Sequence, residues 1–271
     1  MKVLVTGHDG FIGQNMVKHL TTLGHEVEGY EYDPNKTLPR VSGLDAVVHL
    51  GAVSSTTEKD VNKILEQNLL FSIDLLSMCN ELGVKFQYAS SASVYGKGPD
   101  FNESAAGQPQ SLYAWSKYAF DQYVKAGNWI VPTQGFRYFN VYGDHEDHKG
   151  DQASPVTKFR KQARETGTIK VFKNSDMYYR DFVCVDDVCR VHERFLTVNQ
   201  SGIWNVGTGL SRNFLQVAVA TAIKENAKIA EIDMPSELRS QYQDYTKADR
   251  TRLDEVCPMD WIDVLDWIRD H

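Results

Sequence analysis

The sequence predicts an α/β fold built on a doubly wound parallel sheet. Three observations predict it. Short β-branched runs alternate with helix-period segments through the first half of the chain, a glycine-spaced loop separates the first strand from the first helix, and 271 residues of 42% hydrophobic content suffice for a large core. Alternating strands and helices are joined by crossovers that cover both faces of a parallel sheet.

Taken in order, residues 2–6 (KVLVT) read as a strand, and residues 11–24 (FIGQNMVKHLTTLG) as a helix closed by Gly24. HEVEGYEY (25–32), LDAVVHLGA (44–52) and VKFQYASS (84–91) read as three more strands, with one continuous helix over 64–83 between the last two. A helix follows over 113–126, then an apolar strand in WIVPTQGFRYFNV (129–141). Ser154-Pro155 reads as an N-cap with proline in the first turn, opening a helix through Arg164, and KVFKN (170–174) and RDFVCV (180–185) read as short strands. In DWIDVLDWIRDH (260–271), Trp261, Ile262, Leu265 and Ile268 recur at helical spacing and predict a packing face. Residues 32–45 are too few for a helix plus a strand, so the sheet should lack its usual third strand, with Pro34 and Pro39 in an extended crossover. We expect a dinucleotide-binding domain over 1–142 with a returning segment near 180–207, and a smaller substrate-binding subdomain from 143–179 and 208–271.

The net charge of −7 argues against nucleic acid as a partner, because such binding draws its affinity from clustered Lys and Arg. Cys79, Cys184, Cys189 and Cys257 are scattered without metal-like spacing, as expected of reduced thiols in a cytoplasmic protein. No apolar run reaches the roughly 20 residues that span a bilayer, so no membrane contact is expected. His145, Glu146, Asp147 and His148 crowd one loop with no distant ligand, and no metal is expected there.

Three features carry chemistry. In TGHDGFIG, Gly7, Gly10 and Gly13 with Phe11 and Ile12 place backbone N–H groups and a helix dipole where a pyrophosphate binds in Rossmann-like folds; alone, the glycines would mean only a tight turn. Glu31 ends the second strand, where a carboxylate bonds an adenosine ribose, or is simply a solvated charge. Tyr113 and Lys117 lie four apart on one helix face, and Ser91 ends the fourth strand at the sheet's carboxyl edge. The ammonium should lower the phenol's pKa while the serine hydroxyl shares the reacting oxygen, making a proton relay.

Together TGHDGFIG, ASSASVYG and Tyr113-x-x-x-Lys117 resemble the extended short-chain dehydrogenase/reductase superfamily. GAVSSTTE (51–58), GFRYFNVYG (135–143), EDHKG (146–150), RDFV (180–183), NVGTG (205–209) and YQDYTKAD (242–249) bring the chain nearest to the ADP-L-glycero-D-manno-heptose 6-epimerase family. The resemblance implies a nucleotide-sugar epimerase of lipopolysaccharide-precursor metabolism that oxidises and re-reduces one sugar carbon with tightly bound NADP or NAD, as a homo-oligomer, a dimer or larger. It implies Tyr113 and Lys149 as acid/bases on opposite faces, with Ser91 and Lys117 assisting. Lys149 needs a lowered pKa, which Glu146 and Asp147 would oppose. Asn68, Tyr113 and Lys117 would contact the cofactor, and Ser154, Phe172, Arg180 and Tyr242 the substrate, with Ser91 and Lys149; Asn140 would orient the nicotinamide side or the substrate, or else bond only to backbone. Arg180 would clamp the diphosphate or else pair with Asp181. Asp144 and His145 replace a family proline and arginine, and Gln241 a basic residue. Glu31 and Asp33 would repel the 2′-phosphate of NADP whereas Lys36 would neutralise it. Two other readings stay open: another nucleotide-sugar 4-epimerase, dehydratase or reductase, and an inactive cofactor-binding regulatory protein.

Overall fold

The computed structural model describes every residue except 36, 106, 240 and 241, and the side chains of 237 and 238 as well as these; all counts below are of the described residues. Lys36 and Gln241 therefore lie outside them. The chain runs β1 (Lys2–Thr6), α1 (Phe11–Thr22), β2 (Glu26–Tyr30), β3 (Ala46–His49), α2 (Val61–Ile64), a π-helical segment (Leu65–Leu70), α3 (Phe71–Leu82) and β4 (Lys85–Ser91). After a short 3₁₀ turn come α4 (Leu112–Ala126), β5 (Thr133–Tyr138), β6 (Asn140–Tyr142), a second 3₁₀ segment (Asp147–Gln152), α5 (Pro155–Thr166), β7 (Thr168–Phe172), β8 (Tyr179–Cys184) and α6 (Val185–Leu196). The chain closes with β9 (Gly202–Val206), β10 (Ser211–Asn213), α7 (Phe214–Glu225), β11 (Lys228–Ile232), α8 (Ser236–Arg239), α9 (Thr251–Val256) and α10 (Val264–Asp270).

The large sheet is parallel with strand order β2-β1-β3-β4-β5-β9. β3 and β5 are buried along their whole length, as strands covered on both faces must be, whereas β2 is largely exposed. β2 is the edge because no strand follows it: residues 31–45 form neither helix nor strand among those described, and Val41 plugs the core as they pass. The missing third strand is thus an observed feature. One face of the sheet packs Val3, Val5, Ala46 and Val48 against Met16 and Leu20 of α1. The other packs Leu4, Val47, Phe86 and Tyr88 against Leu75 and Leu76 of α3 and Phe120 of α4.

β8 pairs with β6 and β10 in a small sheet, and β7 pairs in parallel with β11. Between these, Phe159, Ile169, Phe182, Val217 and Trp267 form a separate core. After β8 the chain returns through α6, beside Val3 and Val5, to place β9 on the large sheet.

Three expectations need correction. The helix over 64–83 is interrupted by the π-helical segment, which widens the turn around the buried Asn68. The strand over 129–141 starts only at Thr133, after Pro132, and breaks at Phe139, whose N–H turns to Val206. The terminal helix starts at Val264, because Asp263 caps it by accepting from Leu265 N–H, so Trp261 and Ile262 precede it. Its buried face is Val264, Trp267 and Ile268, with Leu265 half-buried.

Candidate active site

The site begins where β1 meets α1. Gly7 adopts φ +71°, and a Cβ there would lie 2.5 Å from Gly51 Cα, so the loops after β1 and β3 touch backbone to backbone. A Cβ on Gly13 would lie 1.9 Å from Gly7 O. Only glycines allow this packing. Beneath it, buried His49 bridges Thr6 Oγ1 at 2.6 Å and Ser72 Oγ at 2.8 Å, with burial lowering its pKa to about 3. The twelve-residue α1 has Gly10 at its N-cap, with no side-chain cap and no acidic residue in its first turn. An uncapped N-terminus wrapped by glycines fits a pyrophosphate, so the residues present fit a dinucleotide. Phe11, Ile12 and Gly13 form that first turn, and Glu31 lies beside it, its Oε1 accepting from Asp9 N–H at 2.8 Å.

Asn68 Oδ1 accepts from Val53 N–H at 2.8 Å, and its Nδ2 donates to Val53 O and Ser116 Oγ. These bonds fasten the loop after β3 to α4.

Ser111 caps α4 by accepting from Ala114 N–H, and Tyr113 and Lys117 follow on one face, with Lys117 Nζ 5.9 Å from the Tyr113 ring centroid. The Ser91 hydroxyl accepts from Ser93 N–H at 3.2 Å and Ser93 Oγ at 2.9 Å and neighbours the Tyr113 phenol. The expected lowering of the phenol is not found: burial pushes its pKa up, and Ser91 pulls only partly the other way. Lys117 bears the shift instead. Burial lowers its pKa to about 8, partly countered by Asp121 one turn further along α4. Asp121 is fully buried, bonded by Arg137 Nε at 2.8 Å and Tyr88 OH at 3.0 Å. Sequence reading passed over this pair, which a buried-carboxylate position at i+4 from the lysine and an arginine within an apolar strand could have signalled.

Lys149 lies on the second 3₁₀ segment, its Nζ 5.5 Å from the Phe11 ring centroid and so on the glycine-loop side. Two ties hold its loop: Asn15 Nδ2 donates to Asp144 O, and the Glu146 carboxylate accepts from Ser154 N–H, Ser154 Oγ and Thr157 Oγ1. Burial lowers the Lys149 pKa, and Glu146 opposes it only in part. Ser154 is therefore occupied by Glu146 and by capping α5, where it accepts from Thr157 N–H. Asn140 opens β6 opposite Phe182.

A cavity of about 410 Å³ is lined by Phe172, Tyr178, Phe214 and Tyr242 with Lys158 and Lys170. Phe172 and Tyr242 were expected there; Tyr178 and Phe214 were not. The Arg180 guanidinium lies against the neighbouring rings of Phe214 and Tyr242, its Cζ 5.3 Å from each centroid, and donates to Tyr179 O. It makes no salt bridge among the described residues, and burial lowers its pKa. Pairing with Asp181 is ruled out because that carboxylate accepts from Thr208, Gly209 and Ala248 N–H groups. Gln243 Nε2 donates to Gly96 O at 2.7 Å, tying the cavity's edge to the turn that follows Ser91.

His145 to His148 form no metal-like cluster among the described residues; the one group with three ligand-type atoms within 4.8 Å is His8, Asp9 and Glu31, beside the glycine loop. No helix among the described residues is long and apolar enough to cross a membrane.

A family model for the NAD dependent epimerase/dehydratase family matches residues 3–207. The chain belongs to that family. Solved structures extend the likeness over the full length. The Helicobacter pylori ADP-L-glycero-D-manno-heptose-6-epimerase aligns at 24% identity, covering 99% of this chain and 94% of that one, with a TM-score of 0.87. The Methanobrevibacter ruminantium UDP-N-acetylglucosamine 4-epimerase aligns at 20% identity over 99% and 96%, TM-score 0.88. The Thermus thermophilus UDP-glucose 4-epimerase, solved with NAD, aligns at 26% identity over 99% and 97%, TM-score 0.82.

Proposed function

We propose that the chain is a nucleotide-sugar epimerase acting on an ADP-heptose or a related sugar. The observation that carries this reading is the presence of two proton-transfer groups on separate elements: Tyr113 on α4 with Ser91 and Lys117, and Lys149 on a loop tied to α1. Inversion of a sugar carbon needs an acid/base for the hydroxyl of each epimer. Gly7, Gly10, Phe11, Ile12 and Gly13 would hold the dinucleotide, which would supply a reversible hydride acceptor for that inversion.

Tyr113 takes the hydroxyl proton on one side while Ser91 hydrogen-bonds the same oxygen, with Lys117 beside them on the same helix face. Lys149, whose burial lowers its pKa, exchanges the proton on the other side. Arg180, lying against the rings of Phe214 and Tyr242, presents its guanidinium to the diphosphate, and Phe172 and Tyr242 flank the nucleobase. On this reading residues 1–142, with the returning segment near 180–207, hold the dinucleotide, and 143–179 and 208–271 hold the sugar nucleotide together with Arg180, whose strand β8 lies in the small sheet.

The test is incubation of purified protein with ADP-heptose, UDP-glucose and UDP-N-acetylglucosamine in deuterated water. Inversion of one sugar without deuterium incorporation supports a returned hydride. Net reduction, loss of water from the sugar, or no turnover with any of them overturns the reading. Tyr113→Phe should reduce turnover at least ~10²-fold while leaving dinucleotide affinity unchanged.

A further inference from the structure

The face of β2 that a helix after it would cover carries Val27, which packs with the α1-side core, and, in the same alternation, Gly29. An imidazole fills that place. A Cβ on Gly29 would lie 2.3 Å from His8 Cδ2 and 2.5 Å from Cγ, so the His8 ring lies flush against the strand backbone. His8 Nδ1 is buried without a hydrogen bond and stands 3.3 Å from Glu31 Oε1, while its Nε2 stands 3.5 Å from Asp9 Oδ1. Glu31 Oε1 thus faces both Asp9 N–H and His8, and no hydrogen bond to Oε2 is formed among the described residues.

We propose that His8 is a positioning residue that pins Glu31 so that Oε2 is presented to the adenosine ribose of NAD, replacing the support that the missing helix and strand would give. The inference rests on the dinucleotide reading of the glycine loop. It follows from three constraints on this chain. A carboxylate at an exposed strand edge has several rotamers of similar energy, and fixing one before binding raises affinity. The ring can reach Glu31 only because residue 29 has no side chain. A carboxylate fixed at this position also repels a 2′-phosphate, so pinning selects NAD over NADP.

Dissociation constants for NAD and NADP, measured by calorimetry, separate this from mere packing. In His8→Phe the ring persists and the nitrogens are lost; NAD should bind about tenfold more weakly, with a smaller preference over NADP. His8→Asn, which keeps an N–H near the Nδ1 position, should recover most of the affinity. Gly29→Ala, which pushes the intact ring away, should reproduce His8→Phe. Thermal melts alongside confirm that each variant is folded. An unchanged NAD to NADP ratio in His8→Phe, or no recovery in His8→Asn, overturns the proposal. If the wild-type chain binds neither dinucleotide, the underlying reading falls as well.

Discussion

The energetics of Lys117 show how a single side chain can be set against the fold it belongs to. Its pKa falls from 10.5 to about 8 on burial, which at pH 7 corresponds to an unfavourable contribution of about 3 kcal/mol to folding. The sign follows from proton counting: between pH 8 and 10.5 the unfolded chain binds the extra proton, so this group's cost disappears as pH rises through that window. Lys117→Met should therefore raise the midpoint of urea unfolding at pH 7 and narrow the difference from wild type by pH 10, while turnover is lost. A less stable variant would show that the ammonium is compensated by partners. Wild-type turnover should decline above about pH 8, where the lysine loses the charge it brings to the site. The i, i+4 spacing made the pair legible in the sequence, but not the direction of the tyrosine's shift. Spacing determines which groups meet; desolvation depends on what else surrounds them.

At the scale of elements, the long helix after β3 was legible from its apolar period, yet its π-helical segment was not. Periodicity reports which face is buried, and a single widened turn changes that face too little to register. The consequence is local and strong. The segment carries Asn68, whose three hydrogen bonds hold Val53 N–H, Val53 O and Ser116 in place under the glycine loop. Asn68→Leu keeps the volume and removes every one of these bonds, leaving both Val53 backbone groups without the partner they now have. Each such loss costs about 1 to 3 kcal/mol. We expect denaturant unfolding to report a destabilisation of about 2 to 4 kcal/mol and dinucleotide affinity to fall with it, since Gly51 in the same loop supports Gly7. Retained affinity in a destabilised variant would confine Asn68 to stability. The shortened segment after β2 was legible for the opposite reason: it needed only a count of residues against the length of a helix and a strand. How the chain makes up for the loss was harder to foresee, although a lone glycine within a strand already signals close approach by another group.

In the whole molecule, the glycine loop belongs to the large sheet and Arg180 to the small one, joined by α6 and the Gln243 to Gly96 contact. This separation predicts that substrate and cofactor affinities can be changed independently. Arg180 is buried, packed against two adjacent rings and unpaired with any carboxylate among the described residues, an arrangement that leaves its remaining N–H groups for an anionic ligand. Arg180→Gln removes the charge while keeping polar contacts with Tyr179 O within reach. Because a charge-assisted hydrogen bond contributes roughly 1.5 to 3 kcal/mol, KM for the nucleotide sugar should rise ~10- to 100-fold, with kcat changed far less. The dissociation constant for the dinucleotide should stay at its wild-type value, because no part of β8 enters the large sheet. A parallel loss of both affinities would mean that Arg180 holds the two sheets together rather than gripping a diphosphate. Relief of its burial cost should also make the variant at least as resistant to heat as the parent, a combination that a merely structural arginine would not give.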